Sequence, residues 1–146
     1  MTINLQDRVF YRDWNKSYPV IDRGEGLYLY DREGKKYMDA SGGPFVVNIG
    51  HGVPEVVAAM EEQARKVCFP YAGHFVSDAQ IELAEEVIQF APPGMSRVYF
   101  VSGGSEANEV ALKMARQYHL ERGEPSRVKI IGRWQGYHGA TLAALA

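Results

Sequence analysis

The stretch from residue 97 to residue 131 constrains this chain more than any other. Arg97-Val98-Tyr99-Phe100-Val101 is a short apolar run, Ser102-Gly103-Gly104-Ser105 is a turn, and Glu106 to Arg122 repeats apolar residues at three- and four-residue steps. Ala107, Val110, Ala111, Met114, Ala115 and Tyr118 fall on one helical face, with Glu109, Lys113, Arg116 and Gln117 on the other. Gly123 and Pro125 close the helix, and Val128-Lys129-Ile130-Ile131 is a second apolar run. Strand, helix and strand in this order predict a βαβ unit, which packs right-handed into a parallel sheet covered on both faces. The fold class expected is therefore α/β.

Upstream, Gly26 to Asp39 reads as a β-hairpin: aromatic and branched residues flank a turn in which Gly34 can supply a positive φ. Ser41-Gly42-Gly43-Pro44 is too rich in backbone extremes to be regular, and Gly50, Gly52 and Pro54 bracket a second loop. A helix is predicted from Pro54 to the region of Cys68 to Pro70, with Val56, Val57, Met60, Ala64 and Val67 on one face. Another, capped by Ser77 or Asp78, carries Ile81, Ala84, Val87 and Ile88 and stops before Pro92-Pro93-Gly94. No internal repeat or low-complexity tract interrupts the chain.

Composition narrows the function classes. The 146 residues hold 16 Lys plus Arg against 18 Asp plus Glu, a net charge of −2, which argues against a dedicated nucleic-acid or membrane-surface binder. Hydrophobic residues at 46% are enough to fill a core, so disorder is not expected. The single Cys68 permits no internal disulfide and makes no structural zinc site. Thr2 to Lys16 lacks an apolar core of signal-peptide length, and nowhere do eighteen apolar residues run together. A soluble cytoplasmic protein is the expectation.

Two segments could carry chemistry. Ser102-Gly103-Gly104-Ser105 lies between a strand and a helix N-terminus, where outward N–H groups and the helix dipole favour an anion and the Ser105 hydroxyl adds a donor. It could equally be a plain strand-to-helix corner. It is neither a Walker loop nor a G-x-G-x-x-G dinucleotide turn. Trp134-Gln135-Gly136-Tyr137-His138-Gly139 follows the second apolar run, and in an open α/β sheet would share the rim beyond the strand ends. An aromatic ring there could stack on a flat cofactor and His138 could handle a proton; ordinary packing and a backbone-bonded loop histidine are the alternatives.

Taken together, these residues resemble the class III pyridoxal-phosphate-dependent aminotransferases, of fold type I. Asp39 to Gly52 with Pro54-Glu55-Val56 is similar to the family's early glycine-rich segment. Val101 to Glu109 with Ala111, Lys113, Ala115 and Arg116 is similar to its phosphate loop and following helix, and Gly136 to Ala144 to the segment whose aromatic ring covers the cofactor. The family usually has Ser or Thr where this chain has Gly103, which removes one side-chain oxygen and leaves the backbone donors. The resemblance implies an N-terminal segment over residues 1–60, part of a small domain and holding the hairpin. It further implies that residues 61–146 begin a three-layer large domain with a mainly parallel sheet. It implies pyridoxal 5′-phosphate as cofactor, held through its phosphate by Gly103, Gly104 and Ser105 and stacked on by Tyr137. His138 would support the loop and Phe45 would wall the substrate pocket. It also implies a homodimer, with Tyr71 to Phe75 reaching into the neighbouring subunit.

The reaction implied moves an amino group from an amine or amino acid, often an ω-amino compound, to a 2-oxo acid. Such chemistry needs a Schiff-base lysine and a carboxylate beside the pyridinium nitrogen. The family keeps both downstream of the matched motifs, and Lys16, Lys35, Lys36, Lys66, Lys113 and Lys129 occupy unpromising positions. The catalytic lysine is thus expected beyond residue 146, and the chain reads as the N-terminal part of a larger enzyme. An aminomutase or racemase on the same scaffold, or a non-catalytic phosphate-binding module for these residues alone, are the alternative readings.

Overall fold

The computed structural model describes residues 8–13 and 15–145. Residues 2–7 and 14 of the N-terminal stretch read above for a signal peptide, and the final Ala146, lie outside the described residues. The chain divides into two compact units, one running to Gly73 and the other starting at His74. No helix among the described residues is long and apolar enough to cross a membrane.

The first unit is organised by an antiparallel sheet of β1 (Ile21–Glu25), β2 (Tyr28–Asp31) and β3 (Lys36–Met38), in that spatial order. The expected hairpin is β2 and β3. Its turn is built on Asp31, a buried carboxylate whose Oδ1 accepts from the N–H of Glu33 (3.1 Å) and of Lys35 (2.8 Å), while Oδ2 accepts from the Tyr37 hydroxyl (2.7 Å). Gly34 sits at φ +81°, the left-handed value this turn requires and a side chain resists. The Tyr37 hydroxyl, more than the two backbone donors, holds the Asp31 carboxyl below its ordinary range, and the same bond raises the Tyr37 phenol. The strand β1 was not anticipated. It pairs Arg23 with Tyr30, Gly24 with Leu29 and Glu25 with Tyr28, with an irregularity between Ile21 and Arg23. Cations lie over the sheet's aromatic rings: the Arg23 guanidinium is 3.7 Å from the Tyr30 centroid and Lys36 Nζ 3.5 Å from that of Tyr28.

A second tie fastens the following loop to the sheet. Gly26 and His51 exchange both backbone hydrogen bonds, at 3.0 and 2.8 Å, and His51 Nε2 lies 2.8 Å from Asp39 Oδ2. Asp39 in turn donates its N–H to the Leu27 carbonyl at 2.9 Å. Residues 40–50 are thereby held at both ends. Within them α1 (Gly42–Phe45) is one turn whose Gly43 and Pro44 depart from helical angles, in keeping with the irregularity expected at residues 41–44. Gly50, at φ +86°, leaves no room for a side chain, because a Cβ there would stand 2.9 Å from the Gly26 carbonyl oxygen. The helix α2 (Pro54–Lys66) begins at the predicted proline, and Glu61–Arg65 and Glu62–Lys66 pairs, each 2.6 Å, lace its polar side.

The second unit holds α3 (Asp78–Gln89) and α4 (Gly104–Glu121). Ser77 caps α3 as expected, its side chain accepting from the Gln80 N–H. Gly123 ends α4 at φ +73°. The two predicted strands, however, are absent: residues 97–101 and 128–131 are not strands, and the only sheet among the described residues is antiparallel. The parallel sheet of the βαβ expectation is therefore not shown among the described residues. A parallel strand exists through the hydrogen bonds of a neighbour laid beside it, and neither run has one here. Their side chains stay open accordingly, with Tyr99 73% and Ile131 95% exposed.

Two outcomes follow for the first unit. The hydrogen bond from His51 is the main cause that lowers the Asp39 carboxyl below its ordinary 3.8, so the stability it contributes is complete above that value and is lost as pH falls through the lowered one. Denaturant unfolding from pH 6 to pH 2 is expected to show that loss in the wild type and a shallower acid limb in Asp39→Asn. Gly50→Ala, which forces a side chain into a left-handed backbone against the Gly26 carbonyl, is expected to cost about 1–3 kcal/mol by denaturant midpoint.

Candidate functional site

The residues singled out in the second unit converge on the N-terminal end of α4. Gly103 precedes the helix in extended backbone (φ −170°, ψ 171°), and its carbonyl accepts from the Ala107 N–H at 3.0 Å. The N–H groups of Gly104, Ser105 and Glu106 belong to the first turn and have no carbonyl within the helix to bond. A Cβ on Gly104 would meet nothing within 4 Å, so the backbone here opens onto free space. At Gly103 the position a Cβ would take is 2.7 Å from Glu106 Oε2, the far end of a flexible side chain.

Against this helix end lies the segment from His138 to Leu145. Ser105 Oγ accepts from the Ala140 N–H at 2.9 Å, which leaves the hydroxyl proton free to be donated outward. The Asn108 amide donates to the His138 carbonyl, and Glu109 Oε1 accepts from the N–H groups of Ala143 (2.8 Å) and Ala144 (3.3 Å). The contact is close enough to exclude a side chain at Gly139. There a Cβ would stand 2.7 Å from Ala144 Cβ and 2.9 Å from Ser105 Oγ. Gly139 and Ala144 are correspondingly buried.

Tyr137 opens this segment with its ring 85% exposed, and Trp134 is similarly open. Both expose an aromatic face. The turn between them is closed by the Gly136 N–H on the Arg133 carbonyl at 3.0 Å, and Gln135 holds a left-handed φ of +58° that a non-glycine residue rarely adopts. His138 is bound into the loop: its Nε2 accepts from the Arg133 N–H at 3.3 Å and its carbonyl receives Asn108. Its ring is thus tied to the backbone of its own loop. Phe45 belongs to the first unit, where it is exposed and also left-handed, at φ +62°.

Free first-turn N–H groups, a Ser105 hydroxyl whose proton is not used by its bond to Ala140 and open space above Gly104 suit a phosphate monoester. The absence of a side-chain oxygen at Gly103 reduces the donor set without blocking it. Asn108, Glu109 and Thr141 were not foreseen as members of the site. Glu109 was assigned to the solvated face of the helix on periodicity, and no local pattern marks a bond to residues more than thirty positions away.

The comparisons with known proteins agree with one another. The family model described as aminotransferase class-III matches residues 10–146. The chain is 40% identical over 140 residues to the putrescine–pyruvate aminotransferase of Pseudomonas aeruginosa, covering 93% of this chain and 30% of that protein. It is also 40% identical over 127 residues to the diaminobutyrate–2-oxoglutarate transaminase of Halomonas elongata, covering 86% of this chain and 27% of the relative. Among solved structures, the ω-transaminase of Pseudomonas jessenii in complex with PMP superposes with a TM-score of 0.86 at 34% identity, over 93% of this chain and 31% of that one. A transaminase from the marine bacterium Virgibacillus superposes with a TM-score of 0.84 at 37% identity, over 88% of this chain and 29% of the other. The chain spans about 30% of the length of the curated relatives it matches. A match that runs from residue 10 to residue 146 and takes in all three motifs shows that the chain belongs to the class-III aminotransferase family.

Proposed function

We propose that the protein carrying this sequence is a pyridoxal-phosphate-dependent aminotransferase that moves an amino group from an amine or ω-amino acid to a 2-oxo acid. The observation that carries this reading is the open, donor-rich end of α4 with an exposed aromatic ring on the segment bonded to it. Gly103 at the N-terminal cap, the first-turn N–H groups of Gly104 and Ser105, the open backbone at Gly104 and the Ser105 hydroxyl would hold the cofactor phosphate. Tyr137 lays its ring on the pyridine, and His138 keeps its loop closed. Phe45 walls the substrate pocket. When bound, the cofactor supplies the electron sink that the transfer of an amino group requires. The amine donor is favoured by the similarity to a putrescine–pyruvate and a diaminobutyrate–2-oxoglutarate enzyme, whose named donors both carry an amine remote from a carboxyl or lack the carboxyl altogether.

A lysine that links the cofactor is not among those of this chain. Lys36 lies over Tyr28, Lys35 over Tyr37 and Lys66 on Glu62, while Lys113 stands nine residues along α4 from Gly104, about 13 Å of helix. The remaining length of the relatives is where that lysine and the pyridinium partner are placed. Residues 1–60 then form part of a small domain and residues 61–146 the first part of the large one. A homodimer joined through Tyr71 to Phe75 completes the site, and a cytoplasmic location agrees with the single cysteine, which allows no internal disulfide.

Spectrophotometric titration of the full-length protein with pyridoxal 5′-phosphate tests this reading. Ser105→Ala is expected to weaken the affinity about tenfold and Tyr137→Ala by several-fold, in line with one charge-assisted hydrogen bond and one aromatic stack. Full-length protein that takes up no cofactor would refute it. The 146-residue polypeptide alone is expected to show no transamination of putrescine with pyruvate, measured as alanine formed.

A further inference from the structure

We infer that Glu109 is a positioning residue, a carboxylate clamp that holds the segment carrying Tyr137 against the phosphate-binding end of α4. The inference rests on the cofactor site proposed above and adds to it a residue that touches neither phosphate nor ring.

The geometry is that of a helix cap supplied from another helix. Thr141 to Leu145 forms one turn, with the Leu145 N–H on the Thr141 carbonyl at 3.0 Å. Its first N–H groups have no carbonyl of their own turn to bond, and Glu109 Oε1 accepts two of them, from Ala143 and Ala144. The Thr141 hydroxyl lies 3.5 Å from the Ser105 carbonyl oxygen as donor, and its proximity is the first cause that holds the Glu109 carboxyl below its ordinary range, ahead of the Ala143 N–H. Lys113, one turn further along α4, is the cation that faces it. A glutamate on a merely solvated helix face would accept none of these donors. Ser105 and Asn108 hold the start of the same segment, at Ala140 and His138, so Glu109 is the far anchor of a three-point attachment that begins next to Tyr137. Losing the far anchor frees the segment to pivot about the near one. A ring that must lie flat on a cofactor tolerates little such movement.

Hydrogen exchange on the full-length protein without cofactor, followed by visible circular dichroism with it, tests the clamp. Glu109→Ala is expected to speed exchange in residues 139–145 about tenfold while leaving residues 78–89 unchanged, and to lower the dichroism per bound cofactor. Glu109→Gln keeps one carbonyl acceptor and is expected to restore most of both. Should Glu109→Ala fail to fold, Glu109→Asp, whose carboxylate is one methylene short of the Ala143 and Ala144 N–H groups, decides, with a several-fold rise in exchange confined to residues 139–145. Wild-type protein that binds no pyridoxal phosphate overturns the proposed function and the clamp's role with it. Wild-type protein that binds, beside Glu109 variants that match it in exchange and dichroism, overturns the clamp alone.

Discussion

Directional hydrogen bonds, between backbone groups as well as from side chains, make the distant contacts within each unit. None of the three long helices buries a residue, and Ala144 is the one apolar side chain that is buried among the described residues. What brings distant stretches together is a set of polar ties. The first unit has the double backbone bond of Gly26 and His51 with Asp39 behind it. In the second, Ser105, Asn108 and Glu109 reach across to residues 138–144. The segment order that the site needs is therefore set by directional contacts, each of which fixes an orientation as well as a distance.

The helix α4 shows how one element can serve both ends of its own connections. Its first two turns bind the segment that follows it by some twenty residues. Its last turns bind the chain just beyond the helix: Arg116 Nη2 donates to the Pro125 carbonyl at 3.0 Å, and His119 Nδ1 lies 2.6 Å from Glu124 Oε2. The helix face that periodicity assigns to solvent is thus the face that organises its neighbours. The apolar face, with Met114 and Tyr118 more than half exposed, is left uncovered.

Local chemistry was legible in the sequence wherever it is decided within a few residues. Pro54 at the start of α2, Ser77 before α3, Gly34 in the hairpin turn and Gly103 at the start of α4 all act on bonds four residues away or fewer, and each stands where its residue type predicted. The elements that escaped depend on partners. The strand β1 reads as polar, Ile21-Asp22-Arg23-Gly24-Glu25, and exists because β2 offers a free edge and Tyr30 a ring for Arg23. Residues 97–101 and 128–131 have the composition of strands and no neighbour to make them so. Glu109 and Asn108 were hidden for the same reason, since their role lies in residues more than two dozen positions distant.

The turn built on Asp31 has a kinetic meaning. All three of its carboxylate bonds, to Glu33, Lys35 and Tyr37, lie within six residues of chain, and the ladder on which they sit runs only from Tyr28 to Met38. A hairpin of that span closes in about 1–10 μs, because so little chain entropy opposes it. The pairing of Gly26 with His51 must close a loop of some 25 residues, and it does so onto an edge that already exists. A buried aspartate with a tyrosine six residues on therefore sets its turn at little cost in chain entropy, without help from any distant contact.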